Sequence, residues 1–142
     1  MTTLHVDLAR LLAETLSQEP GVRFARLFGS RADARARPDS DVDLAIFLAP
    51  ESTGTRREPA LRRLEEVLYE RLPGLIFHVV DLATAPPLLQ VEIMTHGRTL
   101  VSGRTGLEEE LRLKALKLFF DAAPLYKARR EKLAALAARE VS

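Results

Sequence analysis

Gly29 and Ser30 close an apolar run, "RLFGS", and two acids follow in "DSDVDLAIFL", Asp41 and Asp43, with ten residues between Ser30 and Asp41. A glycine lets a ligand approach the backbone closely. A serine hydroxyl beside the free N–H groups of a helix start favours an anion. Asp41 and Asp43, two apart on an extended segment, project from one face. Paired carboxylates of this kind are oxygen ligands for a hard cation such as Mg2+, which takes few carboxylates plus phosphate oxygens. A phosphate cradle beside a divalent-metal site is what nucleotidyl transfer requires. The plainer alternative makes the two acids edge-strand charges that block aggregation, but it leaves the spacing from Gly29-Ser30 unexplained.

The elements that must hold these residues can be read from periodicity. Leu4, Leu8, Leu11, Leu12 and Leu16 fall at helical spacing, so residues 3–18 read as an amphipathic helix, stopped by Pro20-Gly21. "VRFARLF" reads as a strand, and the alanine-rich stretch after Ser30 as a short helix and loop. In "DVDLAIFL", Asp41, Asp43, Ala45 and Phe47 share one face and Val42, Leu44, Ile46 and Leu48 the other. After an exposed loop, Pro59 suits the first turn of a helix striped by Leu61, Leu64, Leu68 and Leu72. "LIFHVVDL", Leu75 to Leu82, is a third strand. Pro86-Pro87 open a helix that closes at Gly97, and "RTLVS" is a short edge strand. From Gly106 the chain is helical, with Pro124 marking a break or a new first turn. The expected architecture is α/β (α+β): a small mixed sheet flanked by helices. Residues 1–104 form the domain and 105–142 a helical extension that packs on the domain or on a partner.

Composition bounds the rest. The chain has 142 residues, the size of one domain. It has no cysteine, which excludes disulfides and thiolate metal sites and suits a reducing, cytoplasmic setting. The charged N-terminal helix is not a signal peptide, and no apolar run can cross a bilayer. The net charge of +1 names no partner. After Leu111, however, Arg112, Lys114, Lys117, Lys127, Arg129, Arg130, Lys132 and Arg139 outnumber the acids. This reads either as a basic docking face or as the solvated side of amphipathic helices. With no Trp and two Tyr there is no stacking platform for bases, so nucleic acid is not expected as a direct ligand.

"GSRADARARPDSDVD" resembles the G-S-x10-D-x-D signature of the polymerase-β-like nucleotidyltransferases, and its surroundings resemble the minimal nucleotidyltransferases (MNT). "VVDLATAPPLLQVEIMTHGRTLVSG" and the helical tail resemble the MNT antitoxins of HEPN–MNT toxin–antitoxin pairs. The resemblance implies ATP as substrate, with Gly29, Ser30, Arg31 and Ser40 at the nucleotide and Mg2+ on Asp41 and Asp43. It also implies AMP transfer to a tyrosine of a partner HEPN toxin, a ribonuclease, in a hetero-oligomer with the toxin dimer. The family's third carboxylate falls at His78 in "FHVVDL". Three readings follow from that departure. His78 can stand in the acid's place as ligand or base, Asp81 can be the true third acid, or the site is impaired and the protein silences its toxin by binding alone. A small-molecule nucleotidyltransferase is a further alternative, weakened by the lack of a second domain to form a substrate cleft. Strand periodicity sets Asp81 on the opposite face from His78 and suits a capping role before the Pro86-Pro87 turn.

Overall fold

The computed structural model describes residues 2–29, 41–49 and 57–141. The elements are α1 (Thr2–Ser17), β1 (Val22–Phe28), β2 (Val42–Leu48), α2 (Arg57–Arg71), β3 (Phe77–Asp81), α3 (Pro87–His96), β4 (Arg98–Val101) and α4 (Leu107–Val141). The four strands form one mixed sheet in the order β3-β2-β1-β4. β1 is antiparallel to both β2 and β4, and β2 is parallel to β3. The expected short helix after Ser30 and residues 50–56 of the expected loop lie outside the described residues; Arg57 and Glu58, expected in that loop, form the first turn of α2 instead.

Alternation along the strands divides the apolar side chains between two faces. On one face Ala25, Leu27, Val42, Leu44, Ile46 and Leu48 meet Leu12 and Leu16 of α1 and Leu64 and Leu68 of α2. On the other, Phe24 and Ala45 meet Ile93 and Met94 of α3 and Leu107, Leu111 and Ala115 of α4. Each large side chain withdrawn from water contributes about 1.5–3 kcal/mol, so both layers of helices are fastened to the sheet. The edge strand β3 is partly shielded on its helical side: the Tyr69 hydroxyl accepts from the Phe77 N–H at 3.1 Å, which covers one donor that would otherwise invite another strand.

Two further expectations differ from the structure. β3 is shorter than Leu75 to Leu82, because its ladder runs only along β2, from Val42↔Phe77 to Ile46↔Asp81. The tail is one helix rather than two, running through Pro124. Proline removes the N–H that would bond the Phe120 carbonyl. Both residues are exposed, where water can take the freed carbonyl's place.

A buried cation fastens the second layer. Arg26 on β1 donates from Nε to the Ile93 carbonyl at 2.9 Å and from its terminal nitrogens to the Gly97 carbonyl at 2.5 Å, Thr99 Oγ1 at 2.6 Å and Glu108 at 3.1 Å. It thus ties the end of α3, β4 and the start of α4 to the central strand. Burial lowers its pKa, Glu108 opposes that shift, and Arg112 adds to it.

Candidate functional site

β1 ends at Gly29, whose φ of +74° lies in the region that favours glycine. Across the ladder Phe28 pairs with Asp43, so the Asp43 side chain reaches over the strand end. A Cβ on Gly29 would overlap Asp43 Oδ2. The glycine therefore serves two purposes here: it makes the turn, and it leaves room for a carboxylate.

Parallel pairing then sets His78 beside Asp43, and residues paired in register present their side chains on the same face. His78 Nε2 lies 2.8 Å from Asp41 Oδ2. Asp41, Asp43 and His78 thus share the face that farther along carries Ala45, Phe47 and Val80. Asp41 and His78 stay open to solvent, their side chains 44% and 57% exposed. Asp43 is half-buried. Burial pushes its carboxyl above the ordinary value, His78 pulls it back, and Asp41 pushes it up again. A carboxylate so placed gains from a nearby positive charge.

This donor set suits a hard divalent cation. Two carboxylates on one face are as many as Mg2+ needs when phosphate oxygens supply further ligands. Among the described residues no group of three His, Cys, Asp or Glu side chains is arranged to hold a metal ion. The nitrogen of His78 is engaged with Asp41 rather than aimed with both acids at a common point. Ser30, Arg31 and Ser40, expected at the nucleotide, lie outside the described residues.

Asp81 belongs to the other face. It forms an ion pair with Arg57 at the start of α2, its side chain only 9% exposed, and its Oδ1 accepts from the Ala83 N–H at 3.1 Å. The capping role before the Pro86-Pro87 turn is what the structure shows. Asp81 does not join Asp41 and Asp43, so the register in which it is the third acid is excluded. Asp81→Asn is expected to cost about 2–3 kcal/mol of folding stability, because it leaves Arg57 with a partner of no charge in a largely buried position. It should leave Mg2+ affinity unchanged. Urea unfolding alongside a metal titration checks both halves, and an altered Mg2+ affinity would return Asp81 to the site.

The family model described as polymerase beta, nucleotidyltransferase matches residues 11–105, about two-thirds of the chain. The chain belongs to the polymerase-beta nucleotidyltransferase family. The matched span of this nucleotidyltransferase holds Gly29, Asp41, Asp43 and His78, and it stops just short of α4. No curated protein matches the chain. Solved structures do. One is a chain in the crystal structure of a toxin–antitoxin with AMP-PNP, with a TM-score of 0.74 and 21% identity over 89% of this chain and 98% of that one. Another is a chain of a tri-AMPylated Shewanella oneidensis HEPN toxin in complex with an MNT antitoxin, with a TM-score of 0.65 and 21% identity over 94% and 99%. A third, from the MntA–HepT toxin–antitoxin, has a TM-score of 0.61 and 19% identity over 94% and 99%. At these identities the likeness establishes the fold.

Sequence reasoning found the two acids and the histidine but not the link between His78 and Asp41, which depends on β3 lying parallel beside β2. It also passed over Arg26 and Arg57. The signal for Arg26 was a cation sharing the otherwise apolar face of β1 with Phe24 and Phe28.

Proposed function

We propose that this chain is an antitoxin that transfers AMP from ATP to a tyrosine hydroxyl of a HEPN-type toxin, in the presence of Mg2+. The observation that carries the reading is the placement of Asp41, Asp43 and His78 on one sheet face beside the positive-φ glycine that ends β1. The family match supports nucleotidyl transfer as the reaction class. The AMP-PNP complex and the AMPylated HEPN toxin among the structural neighbours support ATP and a HEPN partner.

In this reading Gly29, with Ser30, Arg31 and Ser40, cradles the triphosphate. Asp41 and Asp43 would hold Mg2+. Bound there, the cation would polarise the α-phosphorus and neutralise departing pyrophosphate. The tyrosine oxygen forms the new bond to the α-phosphorus as the bond to pyrophosphate breaks. His78 orients Asp41 by donating Nε2–H to Oδ2, which leaves Nδ1 as the basic nitrogen. That nitrogen is suited to take the tyrosine proton. His78 supplies no negative charge, so two carboxylates rather than three would hold the cation.

The arrangement also favours a second reading. With Asp41 already engaged by His78 and no third carboxylate among the described residues of this face, the protein can silence its toxin by binding alone. Intact-mass measurement of the candidate HEPN protein, after incubation with this chain, ATP and Mg2+, separates the two. A gain of whole AMP units is the expected result. No gain, with a stable complex in which the ribonuclease is silent, would establish the binding antitoxin instead.

A further inference from the structure

The 35 residues of α4 span about 50 Å at 1.5 Å per residue, and only their first turns are embedded. Leu107, Leu111 and Ala115 are buried against the sheet. Continued at 3.6 residues per turn, the same face carries Ala122, Leu125, Tyr126, Arg129, Leu133 and Leu136. Every residue from 127 to 139 is exposed, and Leu125, Leu133 and Leu136 are 73%, 59% and 47% exposed. The apolar stripe that fastens α4 to its own domain therefore continues into solvent. Pro124 lies on the opposite face and does not interrupt it.

Charge selects the occupant. Arg130 and Lys132 flank the stripe, and Lys127 and Glu131, four apart, lie together on the far side. Arg129 sits within the stripe itself. A second copy is disfavoured: a two-fold axis through the middle of the stripe, at Arg129, would bring that cation against its own copy, and facing like charges are repelled. A bilayer is disfavoured because a cation would lie on the face that must enter the acyl boundary. Nucleic acid would leave three leucines without a role. The chemistry that answers both features is a protein groove with an apolar floor and carboxylates on its rim, a helix-in-groove mode read through positions three and four apart. The segment is rich in alanine, with Ala128, Ala134, Ala135, Ala137 and Ala138, so it is a strong helix former and loses little entropy on docking.

We infer that the exposed half of α4 is the docking arm of this chain, and that its occupant is an acid-rimmed apolar groove on the protein that receives AMP. The identity of that protein rests on the preceding reading; the arm itself does not depend on catalysis. The test is calorimetric titration of the HEPN-type protein whose mass is measured above, in the absence of ATP. Leu125→Ala, Leu133→Ala and Leu136→Ala together keep helix propensity and remove the stripe. They should weaken binding at least about 30-fold, the scale of a hot-spot cluster. Arg129→Glu with Lys132→Glu should weaken it strongly at low salt and less at high salt. Both variants should keep the wild-type unfolding midpoint and ATP affinity. Unchanged binding in the triple variant overturns the proposal. So does a wild-type dimer that the triple variant turns into a monomer, or binding to anionic vesicles or RNA that the triple variant loses. Loss of AMP transfer with docking intact would count against the catalytic reading alone, and loss of docking with the acids intact against the arm alone.

Discussion

Replacing Asp41 and Asp43 together by asparagine is expected to abolish AMP transfer while the domain stays folded, with a melting temperature unchanged or higher. The two effects have opposite signs because the same carboxylates that suit a cation are a cost without one. Asp43 is half-buried beside Asp41, and burial pushes its carboxyl above the ordinary range. Folding at neutral pH therefore takes a charge into a place that disfavours it. That destabilisation is full above the folded pKa and disappears below the unfolded pKa, where both states are protonated. Asparagine keeps the shape and removes the charge, so the folded state loses a penalty near neutrality. Transfer loses the charge that would hold the cation, worth several kcal/mol in the transition state. At about 1.4 kcal/mol per factor of ten, a drop of at least about a thousandfold is expected. Intact-mass kinetics and a thermal melt of one preparation check both signs. Transfer that persists in the double variant would show that these acids do not carry the reaction.

The acids were legible because their signal is local. Asp41 and Asp43 sit at the end of a strand whose alternation is strict, and turn residues bound β1 on both sides, Pro20-Gly21 before it and Gly29 after. What was not legible depends on partners distant in sequence. The length of β3 is fixed by its ladder with β2. The partner of Asp81 is Arg57, which no spacing rule brings near it. The partners of Arg26, two carbonyls, a hydroxyl and a carboxylate, come from α3, β4 and α4, all more than sixty residues away along the chain. Pro124 misled for a different reason. A proline ends a helix when the freed carbonyl must be buried, but on an exposed arm water takes that carbonyl, and the strong helix formers on either side carry the helix through. Periodicity could say that the tail had more leucines than its own packing needs. Only the burial along α4 shows where the embedded part stops.

His78→Asp is the change with the largest expected gain. The register of β2 against β3 puts residue 78 beside Asp43, with its side chain reaching Asp41, so a carboxylate there joins both acids on one face. In the absence of metal the effect is unfavourable. Asp41 loses its contact with the imidazole, and a third negative charge enters a cluster in which Asp43 is already pushed toward its neutral form. The melting temperature of the metal-free variant should fall. With Mg2+ the sign reverses. One more unit charge about 4 Å from a cation contributes between about 1 and 4 kcal/mol per unit of cation charge, from water-like to surface-like screening. The Mg2+ concentration for half-maximal transfer should therefore fall at least about tenfold. Because metal binds the folded state, the lost melting temperature should return as Mg2+ is added, and by more than in the wild type. The rate at saturating Mg2+ then reports what His78 does beyond binding. If imidazole takes the tyrosine proton well, that rate changes little when a carboxylate replaces it. If His78 marks an impaired site, transfer rises from near zero. An Mg2+ requirement that does not move in the variant would place residue 78 outside the metal's reach, and the cation would have to be held by Asp41 and Asp43 with the nucleotide alone.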